Sequence, residues 1–156
     1  MQVTEHVVRK SMVIGVPPLR AFDVFTNGFD SWWPRSHHTG EGDLVKAVIE
    51  PHQGGRWYAV TTVGEEEWGR VLVWDPPRRI VLDWQLNADF RYDADFHTDV
   101  EARFTAEGDS STLFEFEHRD IERYGDRAEE LAAALGSDGG WTGIMNGFAA
   151  AAQRPA

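Results

Sequence analysis

The side chains able to do acid–base or metal chemistry in this chain are its six histidines and its carboxylates; it has no cysteine, which excludes thiol chemistry. His37, His38, Glu41, Asp43 and His52 are the one group that resembles a metal site. They lack the i, i+4 or C-x-x-C regularity by which a metal is gripped, so residues 35–43 (RSHHTGEGD) read as a polar loop, a rim over whatever lies beneath. Asp89, Asp93, Asp95 and Asp99 resemble a calcium loop, but Thr98 stands where such a loop needs glycine and Phe104 where it needs glutamate. A hydrolytic triad would need Ser36, His37 or His118 with a distant acid, and no G-x-S-x-G, P-loop or dinucleotide fingerprint is present. No metal ligand, cofactor or catalytic residue is assigned. Two polar residues remain as candidate anchors. His118 ends an apolar run, and Arg70 alternates with Trp68, Leu72 and Trp74, where a guanidinium could meet a ligand carboxylate if that face points inward, or pair at the surface if it points outward.

What must position them follows from the hydrophobic period. Residues 6–16 read as a strand ended by Pro17-Pro18, and Leu19, Phe22 and Phe25, three apart, predict a helix over 19–26 closed by Asn27-Gly28. Residues 29–34 (FDSWWP) form a second short helix or turn. From residue 44 the period becomes two. Strands are predicted over 44–50, 56–63, 67–74, 79–86, 96–105 and 111–118, with turns at 51–55, 64–66, 75–77 and 107–109 and an acidic, aromatic loop at 87–95. Residues 126–135 (DRAEELAAAL) are helical up to Gly136. Ser137 or Asp138 is placed to cap a last helix, with Trp141, Ile144, Met145 and Phe148 on one stripe. A seven-stranded antiparallel sheet has an apolar face to cover, and the terminal helix is its natural cover.

The aromatic content decides what that interface holds. Seven tryptophans and nine phenylalanines in 156 residues build either a large core or an aromatic pocket. Trp84 shares a strand face with Ile80, Leu82 and Leu86; Phe116 shares one with Phe114 and His118; Trp141, Met145 and Phe148 descend from the helix. With Phe25, Trp33, Trp57 and Arg70 these are the candidate cavity residues, and the alternative is that they fill a solid core. The length fits one domain, 1–156, large enough to bury about 68–70% of its unfolded surface. A net charge of −11 with scattered arginines argues against nucleic acid and anionic membranes as partners. No window is long and apolar enough to span a bilayer, and the first ten residues lack a signal-peptide pattern, so the expected location is cytoplasmic.

These elements and several motifs resemble a known family. PPLRAFDVFT (17–26), FDSWWP (29–34), GGRW (54–57), WGRVLVWDPPRRIVLDW (68–84), FEFEHRD (114–120) and GGW (139–141) are similar to the activator of heat-shock-protein-90 ATPase homologue family in its bacterial single-domain form. That family belongs to the START-like (SRPBCC) superfamily, with the helix-grip fold of the birch pollen allergen. The resemblance implies an α+β helix-grip domain: a curved seven-stranded antiparallel sheet, two short helices after the first strand, and a long C-terminal helix over an apolar cavity. It also implies three readings. The first is a binding module for a small hydrophobic or amphipathic molecule. The second is a chaperone-associated stress-response or self-associating protein, which would expose an aromatic patch around Trp32 and Trp33. The third is a cavity enzyme of polyketide cyclase or hydrolase type, with His118 or Arg70 as its polar participant.

Overall fold

The computed structural model describes residues 6–37 and 41–154. Strand β1 (Val8–Ile14) leads into α1 (Pro18–Thr26) and the four-residue α2 (Phe29–Trp32). Six strands follow: β2 (Leu44–Ile49), β3 (Arg56–Thr61), β4 (Gly64–Asp75), β5 (Arg79–Trp84), β6 (Thr98–Ala106) and β7 (Thr112–His118). A 3₁₀ segment (Ile121–Arg127) then runs into α3 (Ala128–Leu135), and α4 (Trp141–Ala152) closes the fold. The sheet order is β1-β7-β6-β5-β4-β3-β2, antiparallel at every pairing. From β2 to β7 consecutive strands pair, joined by short turns except for the loop 85–97 between β5 and β6. β1 closes onto β7 in a register running from Val8 opposite His118 to Ile14 opposite Thr112. The helices cover one face of this α+β sheet, and α1, α2 and α4 touch one another above it.

Pro18 occupies the first helical turn of α1, where its missing N–H costs nothing. Phe22 and Phe25 are buried as the spacing requires, but Leu19 is 70% exposed. A three-residue step lags the 3.6-residue turn, so two steps carry Leu19 about 120° away from Phe25. Ala21 and Val24 complete the buried stripe instead.

β4 departs most from simple alternation. Its hairpin with β3 turns at Thr62-Val63, Thr61 pairing with Gly64, so Gly64–Glu66 belong to the strand rather than to the turn. Trp57 then pairs with Gly69 while Tyr58 pairs with Glu67, which leaves Trp68 as an extra residue. A second shift between Val71 and Val73 displaces Leu72. Each bulge bends the strand and resets which side chains point inward. Gly69 is required at the first: a Cβ there would stand 1.8 Å from the Asp83 carbonyl oxygen.

At the C-terminus, α4 begins after Gly140 with no side-chain cap; the Ser137 hydroxyl donates to the Ala134 carbonyl oxygen at 2.6 Å instead. The link between α3 and α4 packs backbone on backbone, since a Cβ on Gly140 would lie 2.4 Å from the Leu135 carbonyl oxygen. On the sheet's other face, the buried Glu101 carboxylate accepts from Arg79, Arg103 and Arg119 at 2.5, 2.7 and 2.6 Å. Burial alone would raise its pKa, yet these three guanidinium hydrogen bonds hold it down at about 2.

Candidate functional site

A cavity of about 490 Å³ opens between one end of the sheet and the α3–α4 link. The loop after α2 contributes Trp33, Ser36 and His37; β4 contributes Trp68; β5 and its exit contribute Trp84 and Leu86. The opposite wall is Ala134, Leu135, Ser137, Gly139, Gly140, Trp141 and Ile144, with Phe90 reaching over from the loop after β5. Four of the chain's seven tryptophans therefore face one space.

The sheet-side bulge is what brings Trp68 here. The centroid of its ring lies 5.2 Å from that of Trp33 and 5.5 Å from that of Trp57. Trp84 and Trp141 meet across the floor at 5.5 Å. Their orientations are pinned by hydrogen bonds behind the wall. Trp84 Nε1 donates to the Tyr124 hydroxyl at 2.9 Å, which donates onward to the Leu86 carbonyl oxygen at 2.8 Å. Burial pushes the Tyr124 phenol up to about 12, so it stays protonated. Trp141 Nε1 donates to His118 Nδ1 at 3.0 Å. Because an indole N–H can only donate, Nδ1 is the bare nitrogen and Nε2 carries the proton. Nε2 lies 2.9 Å from the Thr98 hydroxyl, which donates in turn to the Trp84 carbonyl oxygen at 3.1 Å. Complete burial depresses the His118 pKa to about 3, keeping the ring neutral and the relay intact.

The rim is polar at one place. Trp33 Nε1 donates to the His37 carbonyl oxygen at 2.6 Å, anchoring the loop. The His37 ring reaches across to the α3–α4 link, with Nε2 2.6 Å from the Gly139 carbonyl oxygen, while the Ser36 hydroxyl lies 2.9 Å from His37 Nδ1. Since a carbonyl oxygen only accepts, Nε2 holds a proton, and in the neutral ring Nδ1 then receives the Ser36 hydroxyl hydrogen. On the far rim Phe90 adopts a left-handed backbone (φ 57). It is bracketed by Asn87, whose side-chain oxygen accepts from the backbone N–H groups of Asp89 and Arg91 at 3.0 and 3.2 Å. A phenylalanine in this region is strained, and the bracket is what fixes it.

Of the residues read from the sequence as cavity candidates, Trp33, Trp84 and Trp141 line the space. Trp57, Phe116 and His118 stand directly behind that wall: Trp57 lies 5.8 Å from Trp84, Phe116 4.6 Å from Trp141, and His118 5.0 Å from Trp84. Leu82 and Met145 are buried in the core. Phe25, Phe114 and Phe148 lie elsewhere, packed on one another and on Trp32 in a closed aromatic cluster. Arg70 is a correction. The bulge at Trp68 breaks the alternation that placed both on one face, and Arg70 points outward to Glu67 at 3.1 Å. Trp32 and Trp33, expected at the surface if the chain works through an aromatic patch, are both buried. Ser36 and His37, read from the sequence as candidates for a hydrolytic triad or a metal and, within residues 35–43, as part of a rim, line the cavity at its rim; His38 lies outside the described residues. Among the described residues no three metal-capable side chains gather at one point. Tyr124 and Phe90 carried no signal in the sequence, because each reaches the site from an irregular segment.

Residues 15–153 match the family described as Activator of Hsp90 ATPase homolog 1-like protein, and the chain belongs to that family. Among solved structures it is similar to an anthrahydroquino-γ-pyrone synthase, Txn09, complexed with SUM. The two share 32% identity over 93% of this chain and 96% of that one, with a TM-score of 0.65. It is similar as well to CalC, a self-sacrificing resistance protein from Micromonospora echinospora: 31% identity, 94% and 93% of the two chains, TM-score 0.70. An Hsp90 activator from Plasmodium falciparum matches at 17% identity over 74% of this chain and 73% of that one, TM-score 0.53, which speaks for the shared fold alone. No curated protein matches the chain. Among the described residues no helix is long and apolar enough to cross a membrane.

Proposed function

We propose that this family member binds a flat, largely apolar aromatic molecule in the tryptophan-walled cavity. One observation carries the reading: four indoles, two of them locked by hydrogen bonds behind the wall and a third locked at the rim, surround about 490 Å³ of space that no side chain fills. Small-molecule sites are typically apolar spaces of about 300–1,000 Å³ with few polar groups. Fixed indole faces favour a ring that can stack or sit edge-on against them, because a rigid wall loses little conformational entropy on binding. The relative at 32% identity supports a small-molecule role, being named as an anthrahydroquino-γ-pyrone synthase.

A second reading, cyclisation-type chemistry on the bound molecule, is favoured by the synthase relative and by the Ser36–His37 pair at the rim. The chaperone-associated reading keeps only the family description in its support.

The test is a titration of intrinsic tryptophan fluorescence with 9,10-anthraquinone, in the unaltered protein and in Ala134→Trp, which fills the space from the α3 wall. Saturable quenching that weakens at least about tenfold in the filled variant, a loss of about 1.4 kcal/mol, is the expected result. Quenching that does not saturate, or that is the same in both proteins, would return these tryptophans to the role of plain core.

A further inference from the structure

Most of the polar groups around the cavity are already committed. The indole N–H groups of Trp33, Trp84 and Trp141 are donated to His37, Tyr124 and His118, and the Ser137 hydroxyl to Ala134. Three lining side chains keep hydrogen-bonding capacity: Trp68, whose buried Nε1 has no partner among the described residues, and Ser137 and Ser36, whose oxygens can still accept; only the Ser36 hydroxyl is backed by a base, its hydrogen going to His37 Nδ1. The imidazole behind it is oriented by the bond from Nε2 to the Gly139 carbonyl oxygen. That bond makes Nδ1 the basic nitrogen and stabilises the imidazolium that would form if Nδ1 gained a proton. A base held by a third group and presented through a hydroxyl is a proton-transfer arrangement. It sits at the mouth of an otherwise apolar space.

We propose that Ser36 and His37 form a proton-transfer site for a hydroxylated aromatic ligand, a phenol or enol conjugated to a carbonyl. The ligand O–H bond breaks as its proton passes to Ser36 Oγ, while the Ser36 proton passes to His37 Nδ1. The products are a ligand oxyanion and a His37 imidazolium that still donates through Nε2 to Gly139. No electrons are exchanged, and reversal of the same steps returns the proton. This rests on the cavity binding such a ring and adds what the rim does to it. An oxyanion conjugated through the ring is the nucleophilic form needed to close an oxygen heterocycle, so the inference also gives the cyclisation reading its base.

The apolar walls make the test sharp, because they push the other way. Burial raises the phenol of Tyr124 to about 12, and a ligand phenol in the same surroundings without a base would likewise be held neutral. Neither lysine nor arginine is among the described residues that line the cavity, so no other fixed cation would favour the anion. The probe is 1,2-dihydroxyanthraquinone, whose visible absorption moves to longer wavelength when a hydroxyl ionises, titrated at constant pH while tryptophan quenching reports occupancy. The bound dye is expected to be more ionised than the free dye, by about tenfold in the anion-to-neutral ratio. In Ser36→Ala and in His37→Gln, whose amide nitrogen can keep the bond to Gly139 but has no base, a saturable quench should accompany a neutral bound dye. A bound dye that is neutral in the unaltered protein, or still ionised in His37→Gln, would overturn the proton-transfer site while leaving the binding reading standing. Absence of any saturable quench in the unaltered protein would overturn both.

Discussion

The two ends of the interface between sheet and helices differ in their aromatic mix, phenylalanines joined by Trp32 and Trp74 at one end and mostly tryptophans at the other, and only the first end is closed. Under α1 and the middle of α4, Phe22, Phe25, Phe104, Phe114 and Phe148 interlock with centroid separations between 5.0 and 6.4 Å. Phe114 and Phe148 are fully buried there. At the other end Trp33, Trp68, Trp84 and Trp141 stand at similar separations, 5.2 to 6.0 Å, around open space. Phenylalanine has no polar atom, so its rings turn freely until they fill the volume. Three of the indoles have an N–H tied to a fixed acceptor, which holds each plane in place and stops the wall from collapsing. Trp32 is pinned too, its Nε1 donating to the Val24 carbonyl oxygen at 2.9 Å, yet it packs against Phe25 and Phe148, so what separates the ends is the filling of the space beside the pinned indoles and not the pinning alone.

The largest expected effect lies at the closed end. Phe148→Ala should cost about 3–5 kcal/mol of stability by urea unfolding, because its neighbours cannot relax into the void. A cost near that of a surface change would mean that the two ends do not differ in packing. At the open end, Ile144→Ala should cost less than the usual range for a buried isoleucine, about 1–2 kcal/mol, since one side of Ile144 already faces space.

The hydrogen bonds behind the tryptophan wall offer an intermediate effect. Tyr124→Phe leaves Trp84 Nε1 and the Leu86 carbonyl oxygen without their partner and should cost about 1–3 kcal/mol. It should also weaken anthraquinone quenching, while the same measurement on Phe114→Leu should lose stability with little change in binding. Equal effects on binding would remove the distinction between the two ends.

Acid should separate the ends further. His118 titrates at about 3 in the folded chain and near 6.5 when unfolded, so between those values the unfolded state holds the extra proton and stability falls with falling pH. Glu101, held at about 2 against an ordinary 4.5, adds a second loss as pH drops from 4.5 toward 2. His118→Gln should flatten the unfolding profile between pH 6.5 and 4.5 and leave the lower limb. An unchanged slope there would show that His118 is not the buried neutral group described. The smallest effect is expected from Arg70→Ala, below about 1 kcal/mol, because the Arg70–Glu67 pair is at the surface.

How much of this could be read from the residues varied with the kind of signal. The succession of strands and helices along the chain followed from period and turn residues, the closure of β1 onto β7 did not, and the motif resemblance gave the α+β grip fold. The stripe Trp141, Ile144, Met145 and Phe148 was legible as one apolar face. Its division was not: Trp141 and Ile144 line the cavity, while Met145 and Phe148 are sealed in the core. The face of Arg70 stayed open between cavity and surface, because a two-residue period cannot reveal a bulge. Ser36 and His37 were visible as chemistry-bearing types, but their meeting with Gly139, 102 residues away from His37, was not.

Local patterning by itself determined which segments are strands and helices, that one sheet face must be covered, and that aromatic side chains would crowd beneath the cover. These follow from backbone sterics and from the free energy of burying apolar surface, both written in neighbouring residues. Tertiary structure alone decided that the crowd splits into a filled end and an open one. It turned Trp68 inward through the bulge at Gly69, tied Trp84 and Trp141 to Tyr124 and His118, and set His37 against Gly139. Those outcomes depend on the direction of single hydrogen bonds between residues far apart in the chain, and no period in the sequence carries that direction.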